Sequence, residues 1–403
     1  MCIFRGLNPY KRNIKLNYLF NFTQSINITQ GFWMIFLAGK GMNLIQLGIL
    51  EGLFHVTSFI METPTGAIAD IFGRKTSRIL GRIFILLEMF LMLFGTSFAH
   101  FTAAFVLCAI GWNLESGAGD ALVYDSLLET KDEDRYMKVN GWIEVTYQSA
   151  QAIGLFIGGW IAIRSYEVLY SGQMLIIIVS IAVALFFKET IIGREHIKEK
   201  VSFLASIKNQ YVGSFTIVKG NKRLVYLIIF LNALGLFSTT GFFYMQIYCK
   251  QNGVNEDLMG ILLSVSCIFG ALGGVAAQRI EKIVKERRLM IALPVVYMIV
   301  MWGMVSFKTA VFSFLLIGFL DSTLYVVYSD YINRLIPSEK RATLLSFSSM
   351  VFSFFMIMIF PAAGGIGEYL SLEYAFAFLA FFATVLAVIN LYLFRPMAKM
   401  NSK

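Results

Sequence analysis

The 403-residue chain is 57% hydrophobic and only 15% charged, with a formal net charge of +9 and a mean hydropathy of +0.69. A water-soluble domain carries roughly a quarter of its residues as charges, so this composition excludes a soluble globular fold. Four scattered cysteines (Cys2, Cys108, Cys249, Cys267) without CxxC spacing read as small apolar fillers and imply neither a disulfide framework nor a metal site.

Apolar stretches follow one another almost without pause. About 20 helical residues cross a hydrocarbon core, and taking each stretch as one crossing predicts twelve spans. They fall at about 17–39, 44–69, 78–97, 101–127, 138–163, 168–188, 224–248, 257–281, 288–306, 310–335, 341–367 and 371–394. The expected fold is an all-α membrane protein, with bundles of six helices at 1–190 and 224–403 joined by a linker at 191–223. No cleavable signal is apparent, so the first span is expected to direct its own insertion. Of 34 basic residues, only Lys40, Arg164, Lys250 and Lys308 fall in loops on one side. The positive-inside rule then puts both termini and the linker in the cytoplasm of a cell-membrane protein. The charge serves topology and lipid, not nucleic acid.

In chain order, the first span carries Asn17, Asn21, Gln24, Asn27 and Gln30, which can bind a ligand or bridge helices. The second places Glu51, His55 and Glu62 on one face. A Glu–His pair can trade a proton near neutral pH, or satisfy itself at the outer rim. Next comes ETPTGAIADIFGRKTSR, with Gly66, Asp70, Gly73, Arg74 and Lys75 at fixed spacing after an apolar run. Gly66 lets a neighbouring helix approach closely. Asp70 sets a carboxylate at the cytoplasmic surface, where the capped start of span eleven (Pro337, Ser338) would attract it by about 0.3–1 kcal/mol.

Glu88 in span three reads as structural. Span four carries Trp112, Glu115, Asp120 and, at its cytoplasmic end, Asp125. Glu115 beside Trp112 suits an organic cation or reversible protonation. Span five has Glu144 and the small residues Ala150, Gly154, Gly158 and Gly159. Leu204, Ile207, Tyr211 and Phe215 in the linker suggest an amphipathic helix on the inner leaflet. Span eight ends in Gly274-x-x-x-Gln278-x-x-Glu281-Lys282, an echo of the Gly66 motif 208 residues on. Asp125 precedes Arg135 much as Asp330 precedes Arg341. The two halves therefore look like copies of one unit. Asp321 in span ten, followed by Tyr325 and Tyr328, is the counterpart of Glu115. No basic residue is expected at mid-membrane, which argues against anionic cargo.

GAIADIFGRK, between spans two and three of twelve, resembles the signature of the major facilitator superfamily, and the resemblance extends over essentially the whole chain. It implies two bundles rocking about a central cavity lined by spans 1, 4, 7 and 10, and a charge relay of Asp70, Arg74 and Asp125. The stripe Ala150, Gly154, Gly158, Gly159 is similar to that of drug/proton antiporters in this family. Leu155 replaces their proline, and Asn113 their span-four arginine. The expected function is secondary export of small lipophilic or cationic compounds by a functional monomer, driven by a proton gradient without cofactor or metal. The alternative is proton-coupled import of a neutral or cationic metabolite. A receptor or intramembrane enzyme is a third class, but no HExxH, GxSxG or P-loop appears.

Overall fold

A computed structural model describes residues 8–190, 221–335 and 341–400. Thirteen α-helices run through them: α1 Pro9–Ser25, α2 Trp33–Gly39, α3 Leu44–Phe72, α4 Arg74–Phe94, α5 Phe98–Leu128, α6 Tyr136–Ala162, α7 Tyr166–Leu185, α8 Lys222–Gln251, α9 Glu256–Val284, α10 Glu286–Gly303, α11 Phe307–Arg334, α12 Arg341–Tyr369 and α13 Leu372–Met400. One span is thus made of two helices, α1 and α2, and every other span of one. Eight helices are long and apolar enough to cross a membrane on those grounds alone. Of the other five, α1 and α2 are short, α4 and α10 begin in clusters of arginine, and α6 carries Lys138 and Glu144 in its first half.

The single first span expected at 17–39 is broken at residues 26–32. Ile26, Asn27, Ile28 and Thr29 are poor helix formers, and Asn27 offers the backbone a local alternative. Its Oδ1 accepts from the backbone N–H of Thr29 at 3.2 Å and of Gln30 at 3.0 Å, and from Thr29 Oγ1 at 2.8 Å. Non-helical backbone survives at membrane depth only when protein surrounds it. Gln173 of α7 supplies what is missing: its Oε1 accepts from Ile28 N–H at 3.0 Å and its Nε2 donates to Ile26 C=O at 3.3 Å. Gly154 of α6 covers the same backbone, since a Cβ there would stand 2.9 Å from Asn27 N. Replacing Gln173 by alanine should leave two buried backbone groups unpaired and destabilise the first unit by about 1–3 kcal/mol per group. Faster amide exchange at Ile28 in the variant is the measurement that checks it.

Packing divides the chain into two compact units. One holds the residues up to Gln30 and from Leu53 through α7; the other holds Gly31–Gly52 together with α8–α13. These units differ from the sequence halves at Gly31–Gly52, which packs with the later helices. In the first unit, α4 and α5 meet at glycines: a Cβ on Gly81 would stand 2.8 Å from Gly111 O, and one on Gly111 2.8 Å from Ile85. In the second, α9 and α11 do the same through Gly273, with Phe319 O in the space a Cβ would take, and through Gly318 against Ser266. Small residues that admit a neighbouring backbone are the main device for helix association in lipid. At Gly66 no described heavy atom lies within 4 Å of the Cβ position.

Gly73 instead acts through its backbone. It is the only residue between α3 and α4 and has φ 93°, a conformation that costs glycine little. The matching corner in the second unit is Lys285, with φ 65°, between α9 and α10. The echo expected at Gly274–Lys282 therefore lies inside α9, about a turn before the corner it was matched to.

Candidate functional site

Two clusters of buried polar groups stand out, one in each unit. In the first, Arg78 enters from the second turn of α4. Its Nε donates to Glu115 Oε1 at 3.0 Å and Oε2 at 3.2 Å, and its Nη2 lies 2.9 Å from Oε1. Nη1 donates to Asn17 Oδ1 at 2.8 Å. The guanidinium carbon sits 4.1 Å from the Phe20 ring centroid and 4.8 Å from that of Phe187. Those two rings belong to a packed core with Leu16, Leu122 and Ala184. Arg78 is 1% exposed and Glu115 6%. Glu115 lies midway along α5, so an arginine does reach membrane depth, contrary to the sequence expectation. Both carboxylate oxygens of Glu115 are engaged by Arg78, and the aromatic rings surround the arginine. Trp112, expected to flank the acid, is 42% exposed.

Below this pair, Arg74 Nε lies 2.8 Å from Asp125 Oδ2. Thr190 Oγ1 donates to the same oxygen at 3.4 Å. Lys75 closes the end of α7, its Nζ donating to Leu185 O at 2.7 Å and its backbone N–H to Glu189 Oε2 at 2.9 Å. The side chains of Asp70, Asp120 and Arg341 lie outside the described residues, as do Pro337, Ser338 and the linker residues Leu204, Ile207, Tyr211 and Phe215.

Asn113, at the position where resemblance would put an arginine, clamps α5 to α3. Its Nδ2 donates to Ser58 O at 2.7 Å while Ser58 Oγ donates to its Oδ1 at 2.9 Å. His55 is buried with its ring edge-on to Phe54 at 5.1 Å. Glu51 is buried within the Gly31–Gly52 segment. Glu144 is exposed on α6 and accepts from Gln148 at 2.9 Å. Ala150, Gly158 and Gly159 are buried beside Gly154.

In the second unit, Asp321 of α11 is half-buried and hydrogen-bonded to Ser238 of α8, with Tyr297 of α10 close by. No cation pairs with it among the described residues. On neighbouring helices Glu256 accepts from Lys250 at 2.7 Å, and Glu286 is paired with Arg223. Tyr328 is fully buried, whereas Tyr325 is 63% exposed. Tyr226 donates to Asn390 Oδ1, and Asn390 Nδ2 donates to Met290 O at 2.7 Å, tying α8, α13 and α10 together. Among the described residues no group of His, Cys, Asp and Glu could hold a metal ion.

Sequence reasoning missed Arg78 and Arg82. The available signal was their four-residue spacing just inside the third span, where a helical turn carries both away from the loop. The positive-inside count places them with the cytoplasmic charges instead.

Comparison with known proteins adds three findings. The profile of the Major Facilitator Superfamily matches residues 16–319 and 227–403. The chain is similar to the uncharacterized MFS-type transporter YxaM of Bacillus subtilis (strain 168), at 23% identity over 94% of each chain. Among solved structures it resembles the nucleoside transporter NupG (TM-score 0.78, 12% identity, 96% of this chain and 100% of that one). It also resembles a D-xylose-proton symporter (TM-score 0.69, 13% identity, 94% and 96%). At these identities the structural likeness speaks for the fold.

Proposed function

The chain belongs to the Major Facilitator Superfamily, and on that footing we propose that it is a proton-coupled secondary transporter that exports small lipophilic or cationic compounds by alternating access. The general role, a multi-pass membrane transporter of small molecules, follows from the family. Proton coupling rests on Asp321, a carboxylate held by a hydroxyl and matched to no cation among the described residues. Such a group can bind a proton or a cationic cargo, and either one displaces the other. The export direction takes its support from the small-residue stripe of span five. We place the protein in the cell membrane with both termini cytoplasmic, working as a monomer on a proton gradient without a cofactor.

A second reading, proton symport of a neutral polar metabolite, is favoured by one feature. Glu115 is neutralised by Arg78, so the first unit presents amides rather than a free acid to a solute. Proteins named as a nucleoside transporter and a xylose–proton symporter share the fold.

Reconstituted vesicles with an imposed pH gradient separate the two. An antiporter should accumulate a permanently charged fluorescent cation when the lumen is acidic, because outward proton flow drives cargo inward. A symporter should accumulate its solute when the outside is acidic. Asp321→Asn should abolish the response to the gradient. Gradient-driven transport that survives in this variant would remove Asp321 from the mechanism.

A further inference from the structure

Glu88 is unused by everything described so far. It lies on the buried face of α4 with Ile85, Met89 and Met92 and is 5% exposed. Its Oε2 has no hydrogen-bond partner among the described residues, and neither has Nε of Arg82, which is 3% exposed. Most buried polar atoms are satisfied, so two ionisable side chains on one helix, each with an unsatisfied atom, call for a reason. Arg82 lies six residues before Glu88 among the buried residues of the same helix. Tyr170 of α7 faces Glu88. The remaining titratable groups around the two are Arg78 on the same helix, Glu115 and Cys108 on α5, and Tyr166 on α7. Of these, Arg78 and Glu115 are already locked to each other.

The neighbour of Glu88 connects this cluster to the break in the first span. Met89 Sδ lies 4.0 Å from Thr29 Oγ1, within the non-helical residues. The same α7 that carries Tyr170 carries Gln173, which holds the backbone of Ile26 and Ile28. One face of α4 and one face of α7 therefore support both a carboxyl with an unsatisfied oxygen and the non-helical backbone that breaks the first span.

We propose that Glu88 is a second proton site, whose protonation changes how α4 and α7 seat the unwound backbone at residues 26–30. A carboxyl 5% exposed, with one oxygen that meets no donor among the described residues, is a default candidate for a proton-binding group at membrane depth. In the step itself a proton from water adds to Oε2 and forms an O–H, removing one negative charge; the reverse step returns the proton to water. The protonated form gains a donor that the carboxylate lacks. Its neutralisation leaves Arg82 as the surplus charge on the same buried face of α4. The meaning of this site for transport rests on the proton-coupled reading above, whereas its test does not.

The test is amide hydrogen exchange of residues 26–30 in the purified full chain, corrected for intrinsic rates, with infrared spectroscopy of the carboxyl C=O stretch. Exchange in the wild type should change by at least about threefold between about pH 5 and about pH 8. Glu88→Gln should abolish both that change and one protonating carboxyl band. Glu88→Asp should keep the response with its midpoint displaced. A flat wild-type profile would overturn the proposal, as would a response that survives in Glu88→Gln. Should the glutamine variant fail to fold, an aspartate variant with an unmoved midpoint and carboxyl band would overturn it equally. An intact exchange response without gradient-driven transport in vesicles would sink the transport reading and leave the proton site standing.

Discussion

Replacing Arg78 with methionine should lower the unfolding free energy of the detergent-solubilised protein by about 3–5 kcal/mol. The cost comes less from the lost attraction than from what remains: Glu115, 6% exposed, buried without a counter-charge. Glu115→Gln should cost a similar amount by stranding the guanidinium between Phe20 and Phe187. Arg78→Lys should not rescue, because an ammonium cannot reproduce the fork that reaches both Glu115 oxygens and Asn17 together. The double variant Arg78→Met/Glu115→Leu should recover most of the loss, since apolar residues of similar volume often replace a buried pair at little cost. Denaturation of the wild type, Arg78→Met, Glu115→Leu and the double variant closes a double-mutant cycle. Single variants within about 0.5 kcal/mol of wild type would show that the pair does not hold α4 to α5.

Gly364→Val should unseat the start of α3 from α12. A Cβ at position 364 would stand 2.5 Å from both Leu44 O and the Tyr244 hydroxyl, and one at Gly48 would stand 2.9 Å from Pro361 Cα. Backbone cannot retreat from such contacts as a flexible side chain can. The seat is also hydrogen-bonded: Leu44 N–H, at the opening turn of α3, donates to Glu368 Oε2 at 2.8 Å. An acid at that end of a helix is favoured by unpaired N–H groups and by the macrodipole. Asn43 and Gln46 complete the cap reciprocally, at 3.1 and 2.9 Å. Spin labels at Asn43 and Tyr369, in a background without native cysteines, should move apart in Gly364→Val. Glu368→Gln should widen the distance distribution without shifting it wholly, because the glycine contacts persist. An unchanged distance in the valine variant would mean that α12 yields locally and that glycine is not required. If alternating access opens this seat, the valine variant should also shift the balance of states and lower transport.

Membrane class, the number of crossings and the family motif could be read from the chain alone. Apolar length and the placement of lysine and arginine are local, additive properties: each stretch crosses because of its own composition, and each loop keeps its side because of its own charges. Gly73 was legible for the same reason, since a one-residue corner between two helices favours a residue free to take positive φ.

Pairings were not legible, because they depend on the depth and rotation of helices that meet far apart in sequence. Arg78 and Glu115 are 37 residues apart, and Gln173 reaches Ile28 across 145. Leu44 finds Glu368 across 324. A charge cluster at a helix start reads the same whether its arginines face water or turn inward. A run of Asn, Thr and Ile reads as span until a glutamine and a glycine from other helices make non-helical backbone affordable there. Which glycine admits a neighbour is decided likewise by what stands opposite: Gly81 and Gly154 meet backbone, whereas Gly66 meets no heavy atom within 4 Å among the described residues. The chain thus set how many helices cross, while only tertiary packing determined which buried acids are matched to a cation and which are not.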